Sequence, residues 1–186
     1  EAKYKKKESQ RIAIEAAAKF FQDNLSQAES FLNARGYKLD DKALTEFGIG
    51  YAPMGNVAIN TLTEAGYSVD QLQEVDVVGC TEGRFYDRFR NRVMFPFYDM
   101  QGHIIGFSGR IINPIEGVGK YVNSRETPFF TKGKHIFGLY QARKAIGKKG
   151  YTYLVEGQFD VMSLHKVGVE NVIGGSGTAF TDDQIK

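Results

Sequence analysis

The 186 residues are 42% hydrophobic, enough to bury a sizeable core in one domain or two small lobes, and no repeat period or low-complexity tract interrupts them. No apolar run approaches the ~20 residues of a membrane span and no signal peptide opens the chain, so a soluble, cytoplasmic protein is expected. The single cysteine, Cys80, excludes an internal disulfide or a cysteine-rich zinc site and reads as inert and partly buried.

Residues 1–8 begin with a Lys-rich, unpatterned stretch that reads as a frayed linker. Ile12, Ala16 and Phe20, with Ala13, Ala17 and Phe21, then recur at helical spacing and predict a helix over Ser9–Leu25. A second helix is expected over Gln27–Ala34, ended by Gly36, and a third from an Asp40-Asp41 cap through Glu46. Gly48, Gly50 and Pro53 punctuate the next stretch. Asn56–Ala65 and Val69–Val75 complete the helical part.

From Val77 the period changes. Gly79–Gly83 reads as a turn before a strand at Phe85-Tyr86-Asp87, and Arg92–Tyr98 as a buried strand with Pro96 inside it. A compact turn at Asp99–Gly102 leads into a strand over His103–Ser108, and Ile111–Gly119 is a loop. Leu139–Ile146 is a helix, with a break over Gly147–Gly150. A primary lobe over 9–149 and a second beginning at 150 are expected.

The second lobe has a different pattern. Thr152–Val155 is a short β-rich run broken by Glu156-Gly157, where a parallel strand would reach its carboxyl end, the edge at which such sheets place their sites. Phe159, Val161, Met162 and Leu164 come next at helical spacing, Gly168 stops the helix, and Asn171–Ile173 returns as a strand before a bare-backbone turn at 174–178. Glu156 is thereby a candidate metal ligand or general base and Asp160, one turn on, an auxiliary carboxylate. Each could alternatively be a charge complementing the helix N-terminus.

The net charge of +2 conceals an asymmetry. Arg84–Lys149 holds thirteen Lys and Arg against four Asp and Glu, a local charge of +9, leaving −7 for the rest. Such a block fits a polyanion partner, with Phe85, Tyr86, Phe89, Tyr121, Phe129 and Phe130 as stacking surfaces for unpaired bases, or else a solvated basic face over a core of aromatics. Arg88, Arg90 and Arg92 alternate as on one strand face, at the ~6–7 Å spacing that suits successive phosphates. His103, His135 and His165 have no helical-spacing partner and no histidine metal site is expected.

Six segments carry a resemblance in chain order: Arg35-Gly36, Phe47–Pro53, Asp87–Pro96, Gly106–Arg110, Lys120–Ser124 and Phe137–Tyr140. Together they resemble the polymerase core of bacterial DnaG-type DNA primases, and Tyr151–Thr181 resembles the first half of a TOPRIM domain, shared by primases, topoisomerases and some nucleases. The resemblance runs from about Ala28 to the last residue. It implies an α+β fold: a basic lobe of mixed helices and antiparallel strands, followed by the start of an α/β TOPRIM lobe. The implied activity is synthesis of short RNA primers on single-stranded DNA in the bacterial replisome, by nucleotidyl transfer with Mg²⁺ or Mn²⁺. Glu156 and Asp160 match the catalytic carboxylates. Arg35, Arg88, Arg90, Arg92, Arg110, Lys120, Lys132 and Lys134 match basic positions that contact template or incoming nucleotide, and Asn123 orients with them.

The family places an Asp-x-Asp pair and further acids on later strands. Asp182-Asp183 reads instead as a helix cap, so this chain alone is expected not to synthesise primers. In the family a zinc-binding module precedes the core and a helicase-binding module succeeds it; neither occurs in this sequence. The implied partners are single-stranded template, nucleoside triphosphates, RNA primer and, through the absent module, the replicative helicase, with no membrane. Two alternatives remain open: the primase half of a phage or mobile-element primase–helicase, and a non-catalytic single-stranded DNA-binding module.

Overall fold

The computed structural model describes residues 2–131, 133–175, 181 and 184. The apolar stripe of the first helix is realised in α1 (Ala2–Asp23), where Ala13, Ile14, Ala17 and Phe21 are buried. The residues after Ala2 are helical rather than a linker: Lys and Glu are good helix formers, Lys6 pairs with Glu74 at 2.7 Å, and Lys7 Nζ lies 5.9 Å from the Phe129 ring. A 3-10 turn (Leu25–Ala28) leads to α2 (Glu29–Asn33) and α3 (Lys42–Glu46). The next strand, β1 (Gly50–Ala52), sits where the sequence shows only punctuation. It packs so closely on α1 that a Cβ on Gly50 would lie 2.5 Å from the Phe21 carbonyl carbon.

Helices α4 (Val57–Glu64) and α5 (Val69–Glu74) are capped in different ways. Ser68 and Gln71 form a reciprocal capping box at the start of α5. The first turn of α4 is capped from across the fold, where the buried Asp87 carboxylate accepts the Ala58 and Ile59 N–H groups at 2.7 and 2.8 Å. Asp87 ends a hairpin of β2 (Val78–Thr81) and β3 (Arg84–Asp87). The hairpin turn is Glu82-Gly83, shorter than expected, with both residues at positive φ as a two-residue turn requires. Cys80 on β2 is exposed, not partly buried, because the hairpin projects one face into solvent.

The main sheet is antiparallel, in the order β1, β4 (Arg92–Tyr98), β5 (Ile104–Ile111), β6 (Tyr121–Asn123). Pro96 is tolerated in β4 because β1 pairs only as far as Met94, leaving no strand on that side to receive its missing N–H. Pairing of β4 with β5 shifts register between Phe97 and Tyr98, which face Gly106 and Ile104. Ile105 is thus the extra residue of a bulge. Beyond it Ser108 and Arg110 share a face with Phe95 and Val93, while Phe107 and Gly109 face the other way.

Each sheet face has its own core. Met94 and Phe107 pack against α1, α4 and α5. Val93, Phe95 and Phe97 pack against Leu44, Phe47, Phe137 and the second lobe. That lobe comes after α6 (Leu139–Lys149), which Gly150 closes in the left-handed conformation, and consists of β7 (Tyr153–Val155), α7 (Gln158–Lys166) and β8 (Val172–Gly174). Strands β7 and β8 pair in parallel, and Gly174 also bridges Phe137. The expected α+β architecture and TOPRIM-like start are present. The turn expected at 174–178 lies outside the described residues beyond Gly175, as do Asp182 and Asp183.

Candidate active-site cleft

Where the two lobes meet, a cleft of about 480 Å³ opens between the bulge-shifted face of β5 and β6 and the start of α7. One wall carries Arg35, Arg110, Lys120 and Tyr121; the other carries Glu156, Gly157, Phe159 and Asp160. Residues distant in sequence, with Arg35 more than a hundred positions from Glu156, are thus set facing each other as a cationic wall and an acidic lip.

The cationic wall is held by aromatic rings rather than by carboxylates. The Arg35 guanidinium carbon lies 3.5 Å from the Phe31 ring centroid, and its Nη1 donates to the Phe31 carbonyl at 3.2 Å. Arg110 stands 5.5 to 5.8 Å from Tyr121, Phe31 and Phe159, with Nη1 3.3 Å from the Tyr121 hydroxyl. Burial, and then the neighbouring Arg110 charge, push the Arg35 pKa below its ordinary value. Two guanidiniums held near each other among ring faces, with no carboxylate of a described residue between them, repel one another, and an anion placed between them would relieve that repulsion.

Glu156 directly succeeds the last residue of β7 and is exposed, and no hydrogen bond or ion pair joins its carboxylate to another described residue. Asp160 is also exposed, but its Oδ2 accepts the Gly157 N–H at 3.2 Å and so caps α7. Tyr37 anchors the far side: its hydroxyl shares a 2.7 Å hydrogen bond with Ser163 and donates to the Phe159 carbonyl at 3.3 Å. A second hollow, about 620 Å³ and lined by Glu29, Asn33, Lys38 and Asp40, lies beyond Tyr37 and away from these groups.

The other basic residues are elsewhere. Arg88, Arg90 and Arg92 do not share a strand face: β4 begins only at Arg92, and Asn91 at φ 52° breaks the extension between them. Arg88 faces Asp76, Nε 3.5 Å from Oδ2. Arg90 is exposed, donates to Asn56 Oδ1 at 2.7 Å and lies over Tyr86. Arg92 is buried, and its guanidinium donates to the Gly109, Gly119 and Lys120 carbonyls at 3.0 to 3.3 Å, so it is spent on the loop that presents Lys120. Asn123 stands opposite Ser108 in the β5–β6 pair, and Lys134 is an exposed loop residue outside the cleft. Lys132 lies outside the described residues. Of the aromatics in the basic block, Tyr121 reaches the cleft and Phe85 is exposed on the hairpin, whereas Phe89 and Phe130 are core.

No pattern in the sequence distinguishes Tyr37 and Phe159 as cleft residues, or Phe31 as the ring behind Arg35, since such aromatics read as core. The arginines beside Phe31 and Phe159 are the available signal for those two, and Tyr37 has Lys166 as its cation neighbour.

Two histidines are expected to make the surrounding core sensitive to acid. His165 sits edge-on to Phe47 at 4.9 Å and His135 stacks on Phe130 at 5.1 Å, and burial lowers both pKa values below the ordinary 6.5. Below that value the unfolded chain takes up protons that the folded chain refuses, so stability is complete above it and declines as pH falls. The melting temperature should therefore drop between about pH 7.5 and about pH 5.5, before carboxylates titrate appreciably. His135→Phe and His165→Leu should each flatten that slope in a thermal melt series; an unchanged slope in both would refute the assignment.

A family model described as the N-terminal domain of the DNA primase catalytic core matches residues 17–143, and one described as Toprim-like matches 153–186. The DNA primase of Synechococcus elongatus is 36% identical over 182 residues, covering 93% of this chain and 26% of that protein. Among solved structures, the zinc-binding and RNA polymerase domains of Aquifex aeolicus primase superpose with a TM-score of 0.87 at 34% identity, over 96% of this chain and 44% of that one. The RNA polymerase domain of Mycobacterium tuberculosis DnaG, in complex with a DNA duplex bearing a 6-nucleotide overhang, gives a TM-score of 0.87 at 29% identity, over 96% of this chain and 57% of that one. The chain thus spans about a quarter to a third of the curated relatives it matches. By its motifs, its fold and these matches, the chain belongs to the DnaG-type DNA primase catalytic-core family.

Proposed function

We propose that this chain is the nucleotide- and template-binding part of a primase core, contributing Glu156 to nucleotidyl transfer in the complete protein. The observation that carries the reading is the cleft itself, which sets Arg35, Arg110 and Lys120 across from Glu156 and Asp160. The triphosphate of an incoming nucleotide suits the guanidinium pair, because bidentate charge-assisted bonds are the strong ones, and Tyr121 and Phe159 offer ring faces to a base. Arg90 and Lys134 on the outer surface, with the partly buried Arg88, are proposed as template contacts, and Lys132 is assigned by family match. Divalent-metal use goes with Toprim-bearing primases in general, and Mg²⁺ or Mn²⁺ suits the carboxylate oxygens of Glu156 and Asp160. Among the described residues no group of three or more metal-binding side chains converges. The described residues by themselves therefore make no metal site, and their own share of the work is binding and orientation. Primer synthesis, helicase docking, a separate zinc module and a cytoplasmic location are proposed for the complete protein. No described helix is long and apolar enough to cross a membrane.

The direct test is fluorescence anisotropy of a labelled single-stranded oligonucleotide across a salt series. The chain should bind with a negative salt slope, and the Arg88→Ala, Arg90→Ala double variant should bind more weakly, with the slope reduced by about 0.7 for each phosphate no longer neutralised. Equal affinity and slope would remove the outer surface from the template path.

A further inference from the structure

Gln158 is the first residue of α7, two after Glu156, and is wholly buried. Its Nε2 donates at 3.0 Å to the hydroxyl of Ser108, which is equally buried on β5, two residues before Arg110 and on the same face. Among the described residues the Gln158 Oε1 has no hydrogen-bond partner. An apolar side chain of the same volume would fill this site without desolvating an amide and a hydroxyl, so packing alone does not account for the pair. What the bond supplies is position. It ties the Glu156-Gly157 turn directly to the strand that carries Arg110, and β5 is flanked on both sides by other strands.

We propose that Gln158, through Ser108, is a positioning residue that fixes the carboxylate lip of the cleft relative to its arginine wall. The inference deepens the cleft reading above and rests on it. The rest of α7 has separate anchors: Tyr37 bonds Ser163, and Lys166 bonds Asp41 and the Gly36 carbonyl, each at 2.7 Å. Loss of the Gln158 bond should accordingly loosen the amino end of α7 and leave its carboxyl end in place.

At 20.8 kDa the chain is suited to backbone ¹⁵N relaxation, which measures this directly. In the unsubstituted chain the Glu156 and Gly157 amides should show order parameters near ~0.85, falling below ~0.6 in Gln158→Met. The Leu164 and Lys166 amides should keep their values. Ser108→Ala should give the same local change, and the double variant no more than either single one, as members of one interaction behave. A residue that merely adds stability would lower the melting temperature and leave these order parameters unchanged, and that result in both single variants would overturn the proposal. If Gln158→Met does not fold, Ser108→Ala, a one-atom excision, decides alone. No nucleotide is needed for this readout. Adding ATP to the same samples tests the cleft separately, through shifts at the Arg35, Arg110 and Tyr121 amides; their absence would count against nucleotide binding while a loosened turn still upheld the latch.

Discussion

Primer synthesis by the complete protein is expected to fall about 10²- to 10⁴-fold when Glu156 is replaced by Gln, with no loss of thermal stability or of affinity for single-stranded DNA. The side chain is exposed and bonded to no other described residue, so an amide of the same shape removes nothing that holds the fold. What it removes is the one negative charge at the carboxyl end of β7 that faces Arg35, Arg110 and Lys120 across the cleft. Asp160→Asn should cost less, because the retained carbonyl oxygen can still accept the Gly157 N–H that caps α7. Incorporation of labelled nucleotide on a single-stranded template, with a parallel melt, separates the two. A Glu156→Gln protein that primes at the unsubstituted rate would end the assignment of this carboxylate to the chemistry.

Local pattern reveals the parts of this fold whose stabilisation is local. The stripe of α1, the alternation in β4 and β5, and the strand, Glu-Gly turn and helix of the second lobe each announce themselves within a dozen residues. The short strands β1 and β6 do not, since unlike β7 neither is bracketed by a strand-turn-helix pattern, and β1 exists because Gly50 allows contact with a helix nearly thirty residues away. The cleft is legible in the sequence as a set of residues but not as a geometry. Arg35, Arg110, Lys120, Glu156 and Asp160 all stand out there, while the bulge at Ile105 that turns Ser108 and Arg110 toward α7 has no sequence signature. Gln158 is inconspicuous beside Glu156 because a glutamine opening a helix ordinarily faces water. Arg88, Arg90 and Arg92 show the reverse failure: an alternating triplet looks like a strand face, yet a left-handed Asn91 divides it.

Arg92 is where that division has the largest structural consequence. Replacing it with Met should destabilise the chain by about 3 kcal/mol, since hydrogen bonds to a charged group contribute about 1.5–3 kcal/mol each and the exposed loop carbonyls recover part of the loss from water. For a chain of this size the melting temperature should then fall by roughly 6–12 °C. Arg92→Lys should recover only part of this. An ammonium is a point charge and cannot span the Gly109, Gly119 and Lys120 carbonyls as the planar guanidinium does. If the proposed nucleotide site is right, the Met substitution should also weaken ATP binding although Arg92 lies under the sheet rather than in the cleft, because it releases the loop that presents Lys120 to the cleft. Differential scanning calorimetry and an ATP titration give the two numbers. A Met variant melting within about 2 °C of the unsubstituted chain would show that β5 and the adjoining loop hold their shape without it, and Arg92 would then have to be reconsidered as a residue that reaches nucleic acid.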